Sequence, residues 1–240
     1  MIGPSIQVEA LSLQLNRVTL LESINAEMQA GQLHAISGPN GAGKSSFIKC
    51  LLGLMPHQGS VTKHWPAGIG NTAYVPQQNA FEPSLPITIE EFMLSAMTRW
   101  PLFFKKRPED IAKINSLLLR VGLADKRDLK LGELSGGERQ RLLFAQALQR
   151  QSRFWCIDEP MTGLDPSGQA LMTQEMTQLR DQGATLLVVH HDREWINQYA
   201  DQHWVIDAGL KAHHLIKRNS SPSSHFDNHF LSAPDLEVCA

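Results

Sequence analysis

Residues Gly38, Pro39, Asn40, Gly41, Ala42, Gly43, Lys44 and Ser45 form a G-x-x-x-x-G-K-S/T octet between two contrasting segments. The apolar run at 33–36 precedes it, and Phe47, Ile48, Leu51 and Leu52 follow at helical spacing. Strand, glycine-rich turn and helix in that order confine the chain to folds whose loop wraps an anion at a helix start. Glycines let the backbone turn without Cβ clashes, and successive N–H groups face a phosphate. Lys44 then reaches the β- and γ-phosphates, Ser45 ligates Mg2+, and Ser46 is counted with the loop. A plain glycine-rich turn before a helix is the competing reading, and the flanking elements weigh against it.

Residues 154–157, Phe-Trp-Cys-Ile, are continuously apolar, as a strand buried on both faces is, and end in Asp158 and Glu159. Two carboxylates at a strand end more often sit in solvent. Beside a phosphate cradle they suit a magnesium-holding Asp158 and a Glu159 that polarises the attacking water. Residues 8–13, 24–28 and 33–37 read as strands, broken by Asn16-Arg17 and Ala30-Gly31. Helical periodicity over 89–96, 108–121 and 136–148 predicts a helical lobe inserted at about 86–151. A helix at 166–181 and a buried strand at 185–189 return to the core.

Several functions are disfavoured by composition. With 22 Lys+Arg against 24 Asp+Glu the formal charge is −2, so no general positive field collects nucleic acid. Cys50, Cys156 and Cys239 form no C-x-x-C, which suits a reducing compartment. No run approaches the ~20 apolar residues of a membrane span, and the first residues do not read as a leader peptide. Residues 216–240 are polar and are expected to be a flexible tail.

Residues 134–141, Leu-Ser-Gly-Gly-Glu-Arg-Gln-Arg, resemble the signature of the ABC ATPases, and the resemblance extends to about Leu215. Gln77 after Tyr74-Val75-Pro76 is similar to the family's Q-loop glutamine, with adjacent Gln78 as the competitor. Gly163-Leu164-Asp165 resembles the D-loop, and His191 the switch histidine, although a lone His at a strand end is also often a core residue. The resemblance implies an α/β fold: a P-loop NTPase core with a mostly parallel sheet, an N-terminal antiparallel β subdomain and an inserted helical subdomain, spanning 1–215. It implies ATP and Mg2+ as cofactors, with Ser45, Gln77 and Asp158 around the metal and Glu159, Gln77 and His191 in catalysis. It also implies that Ser135, Gly136, Gly137 and Glu138 close over ATP held by a second copy. Locally, Ser135 and Glu138 also fit a helix capping box, and both readings stand together.

From the same resemblance we expect a separate membrane permease, a substrate-binding protein, and a peripheral position on the cytoplasmic face of the cell membrane. Departures from the family pattern are Leu15, near the usual adenine-stacking aromatic, His190 before the switch histidine, and Met161 after Pro160. The segment from Tyr74 to Gln77 with Ser84 to Phe92 is similar to that in ATPases of zinc, manganese and iron uptake, although other importers share much of it. The His213, His214, His225 and His229 group could bind Zn2+ or be incidental to a solvated tail. The aromatic and basic residues 100–107 either dock a membrane partner or pack inside the lobe. A non-transport ABC ATPase acting on nucleic acid or ribosomes, and a small-molecule kinase, are the rivals. The first usually has a coiled-coil insertion or tandem domains, and the second has no account of residues 134–141.

Overall fold

The structure, a computed structural model, describes residues 2–77, 86–97 and 107–216. Gln78, Ser84, Leu85, residues 100–106 and the tail from 217 onward, with His225, His229 and Cys239, lie outside the described residues.

Strands β1 (Ser5–Leu15) and β2 (Val18–Met28) pair antiparallel through a two-residue turn. Asn16 and Arg17 there have φ of 47° and 68°. Two successive left-handed residues make the tight turn whose twist matches a hairpin. Strand β3 (Leu33–Ser37) and helix α1 (Lys44–Leu51) flank the glycine-rich loop. Strand β4 (Gln58–His64) then adds to the free edge of β1, completing a three-stranded antiparallel sheet in the order β2-β1-β4.

Strand β5 (Thr72–Val75) opens the second half, followed by α2 (Ile89–Met97), α3 (Pro108–Arg120) and α4 (Gly136–Leu148). These three helices lie in sequence between β5 and β6 (Phe154–Asp158). Helix α5 (Pro166–Asp181), β7 (Thr185–Val189), α6 (Arg193–Tyr199), β8 (Gln202–Asp207) and β9 (Gly209–Leu215) complete the described chain. The main sheet runs β5-β6-β7-β3-β8-β9, parallel except for β9, which returns antiparallel on β8. The expected α/β class with a mostly parallel sheet beside an antiparallel one is the observed architecture.

Side chains along β6 alternate between two cores, as the two-residue period of a strand requires. Trp155 and Ile157 enter the core built with α2 to α5, while Phe154 and Cys156 enter the one shared with α1 and the antiparallel sheet. All five β6 residues are buried, which explains its unbroken apolar run. Burying each large side chain contributes on the order of 2 kcal/mol, so the strand end that carries Asp158 is held from both faces.

His213 and His214 belong to β9, not to the tail. The ring of His213 stacks on Trp204 at 3.8 Å, and its Nε2 bonds the Gln202 side chain at 3.0 Å. Those contacts give His213 a packing role.

Candidate functional site

The loop after β3 closes around Lys44. Its Nζ donates to the carbonyls of Gly38 at 3.0 Å and Pro39 at 2.8 Å, and the side chain is buried. Gly38, with φ of 148°, passes so close to β8 that a Cβ would lie 1.9 Å from the Ile206 carbonyl oxygen. Only glycine fits there. The loop lines a cavity of about 730 Å³ with residues 40–46, Leu20, Gln77, Glu159 and His191. Leu20 of β2 is thus a large apolar side chain at the cradle, while Leu15 sits half-exposed beside the hairpin turn.

Strand β6 delivers Asp158 buried and Glu159 immediately after it. Glu159 has φ of 49°, a left-handed conformation that costs a non-glycine residue about 1 kcal/mol. That turn aims its carboxylate back at the ends of β5 and β7. Gln77 Nε2 donates to Glu159 Oε2 at 2.5 Å, and His191 Nε2 lies 2.6 Å from Oε1. A carboxylate accepts, so Nε2 of His191 carries the donated proton. Thr162 Oγ1 also donates to Oε2, at 3.4 Å.

The carboxyl of Asp158 is pushed above its ordinary value, chiefly by burial and further by Glu159. A hydrogen bond from Ser45 and the positive charges of Lys49 and Lys44 oppose that rise. Its Oδ1 is buried without a hydrogen-bond partner. An oxygen acceptor so placed, bonded through its carboxylate to a second oxygen ligand, fits a hard divalent cation.

His190, next to the switch position, is held down to about 4 first by burial, so it is neutral. It stacks on Trp195 at 4.1 Å, and Trp195 Nε1 donates to Thr173 of α5 at 2.9 Å. His190 thereby packs beneath the loop that presents His191.

Ser135, Gly136, Gly137 and Glu138 do not line the cradle cavity. They start α4, where Ser135 accepts from the Glu138 N–H at 3.3 Å and Glu138 accepts from the Ser135 N–H at 2.8 Å. Glu138 also pairs with Lys126, which with the Ser135 N–H pulls its carboxyl down to about 2. A Cβ on Gly137 would lie 2.7 Å from the Gly163 carbonyl oxygen, so this helix start packs directly on the turn before α5. Asp165 caps α5 by accepting from the Gly168 N–H at 3.1 Å. Buried Gln140 of α4 reaches the Pro76 carbonyl at 3.4 Å, linking the same helix to the residue before Gln77.

Sequence reasoning passed over Thr162 and Leu20. Thr162 stands three residues after Glu159 in a turn closed by its N–H on the Glu159 carbonyl at 3.3 Å, and that spacing was the available signal. Leu20 had none, because only the fold brings β2 over the loop.

Comparison with known proteins identifies relatives and structures of similar fold. The chain is 34% identical over 215 residues to the manganese transport system ATP-binding protein MntB of Halalkalibacterium halodurans, covering 88% of this chain and 86% of that protein. It is 31% identical over 205 residues to the zinc transport system ATP-binding protein TroB of Treponema pallidum, covering 82% and 76%. The crystal structure of a nucleotide-free ATP-binding cassette from an ABC transporter superposes with a TM-score of 0.73, covering 89% of this chain and 92% of that one at 22% identity. That last likeness concerns the fold. The ABC transporter family profile matches residues 21–162, and the chain belongs to the ABC transporter family.

Proposed function

We propose that this chain is the ATP-hydrolysing subunit that drives import of manganese or zinc through a separate membrane permease. The observation that carries the catalytic part is Glu159, gripped through both oxygens by Gln77 and His191 at the edge of the Lys44 cradle. The metal cargo is supported by the manganese and zinc systems to which the matched relatives belong. Among the described residues no helix is long and apolar enough to cross a membrane.

In this reading the backbone N–H groups of residues 40–45 and the Lys44 ammonium bind the β- and γ-phosphates. Ser45, Asp158 and Gln77 would hold Mg2+, which would supply neutralisation of the phosphate charge. Glu159 accepts the proton of the attacking water, and its two hydrogen bonds fix the direction from which it does so. Once Glu159 has taken up that proton, the His191 Nε2–H that had bonded it is released to donate towards the γ-phosphate. Ser135, Gly136, Gly137 and Glu138 offer a hydroxyl and backbone donors to the ATP of a second copy, so two chains close over two nucleotides. A substrate-binding protein and a position at the cytoplasmic face of the membrane complete the assembly.

Growth of a strain lacking this chain, in chelated medium with manganese or zinc restored singly, tests the reading. Rescue by one metal is expected to depend on complementation with wild type and to fail with Lys44→Ala. Equal growth of the deletion strain and its parent at every metal level would remove the cargo assignment.

A further inference from the structure

A second cavity, of about 620 Å³, adjoins the cradle. Gly38 and Pro39 of the phosphate loop line it, and His191 lines both spaces. Its polar lining comes from four elements and the loop before α6: Ser37 of β3, His191, Arg193 and Asn197 of α6, His203 of β8 and His214 of β9. No carboxylate lines it. Every polar side chain there can donate a hydrogen bond, and one is a permanent cation.

The cross-strand pair His203 and His214, rings 6.0 Å apart, superficially resembles two metal ligands. Three observations speak against a cation. His203 Nε2 is engaged by the Ser37 hydroxyl at 2.7 Å. Among the described residues no three metal-ligating side chains gather. Arg193 lies close enough for its charge to hold His203 below its ordinary value, after burial and His214. A lining with one permanent cation, Arg193, and no carboxylate side chain disfavours a metal ion and suits an anion.

We infer that this cavity is a second oxyanion site, and that it receives inorganic phosphate leaving the cradle past His191. The inference rests on the ATPase reading for the source of the phosphate, and on the lining alone for the site. Arg193 supplies the charge, while Asn197, His214 and the Ser37 hydroxyl, which can accept from His203 and donate onward, serve the remaining oxygens. Phosphate held there is kept away from the Lys44 ammonium and from re-binding beside ADP.

Titration calorimetry of the full chain with inorganic phosphate, in the presence of Mg2+ and saturating ADP, tests the site without requiring hydrolysis. Phosphate binding is expected to persist in Lys44→Ala. It should weaken at least tenfold in Arg193→Gln/His203→Gln, with the affinity for a fluorescent ATP analogue unchanged. Asn197→Asp, an exposed substitution that places a carboxylate in the lining, gives the same loss where the double variant fails to fold. Absence of phosphate binding in wild type, or loss in Lys44→Ala with retention in the Arg193 and Asn197 variants, would overturn the second site. Failure of wild type to hydrolyse ATP would instead remove the proposed function and leave the phosphate titration readable.

Discussion

His191 and Glu159, 32 residues apart in sequence, meet through a 2.6 Å hydrogen bond from Nε2 to Oε1. Gln77 occupies the other oxygen, so the carboxylate is oriented from two sides. Replacing Glu159 by Gln removes the proton acceptor and preserves the shape. Steady-state hydrolysis should fall roughly 10²–10⁴-fold while ATP affinity, read with a fluorescent analogue, stays within a few fold. Turnover close to wild type would assign the base elsewhere.

Because both partners orient one group, Gln77→Ala and His191→Ala should not act independently. The double variant is expected to lose less activity than the product of the single losses, with a coupling above about 0.5 kcal/mol in a double-mutant cycle. Purely multiplicative losses would mean that the two residues serve separate steps.

Gly137→Ala tests the packing of α4 on the turn before α5. Its Cβ would sit 2.7 Å from the Gly163 carbonyl oxygen, a backbone atom that cannot simply rotate away. Overpacking of this kind costs roughly 1–3 kcal/mol. Denaturant unfolding should show that loss, whereas Gly136→Ala, whose Cβ meets nothing within 4 Å, should leave stability nearly unchanged.

The depressed carboxyl of Glu138 gives a pH signature. Its folded value of about 2 lies below the ordinary 4.5, because Lys126 and the Ser135 N–H favour the charged form. The stabilisation is therefore complete above about pH 4.5 and fades as pH falls towards 2. Wild type should melt higher than Glu138→Gln at pH 5, and the gap should close on acidification. A gap that stays constant down to pH 2.5 would exclude the ion pair as its source.

Sequence pattern identified the elements whose burial is regular. The run at 154–157 and the strand at 185–189 lie in β6 and β7, each buried along its full length. The helix read at 166–181 has the bounds of α5, because Asp165 and Pro166 mark its start. Strand β4 escaped notice: most of it is exposed, and its pairing with β1 uses backbone groups that carry no residue pattern. Strands β8 and β9 were obscured by Gln202, His203, His213 and His214, polar residues satisfied by cross-strand contacts. The phosphate loop was legible because its chemistry is local. The grip on Glu159 was not, since Gln77, Thr162 and His191 converge only once β5, β6 and β7 are side by side.

The left-handed backbone at Glu159 sets stability against activity at a single position. A glycine there would relieve the torsional cost of about 1 kcal/mol while deleting the reactive group. Easing the backbone at the end of β6 and keeping the carboxylate that Gln77, Thr162 and His191 hold are therefore mutually exclusive at this one residue.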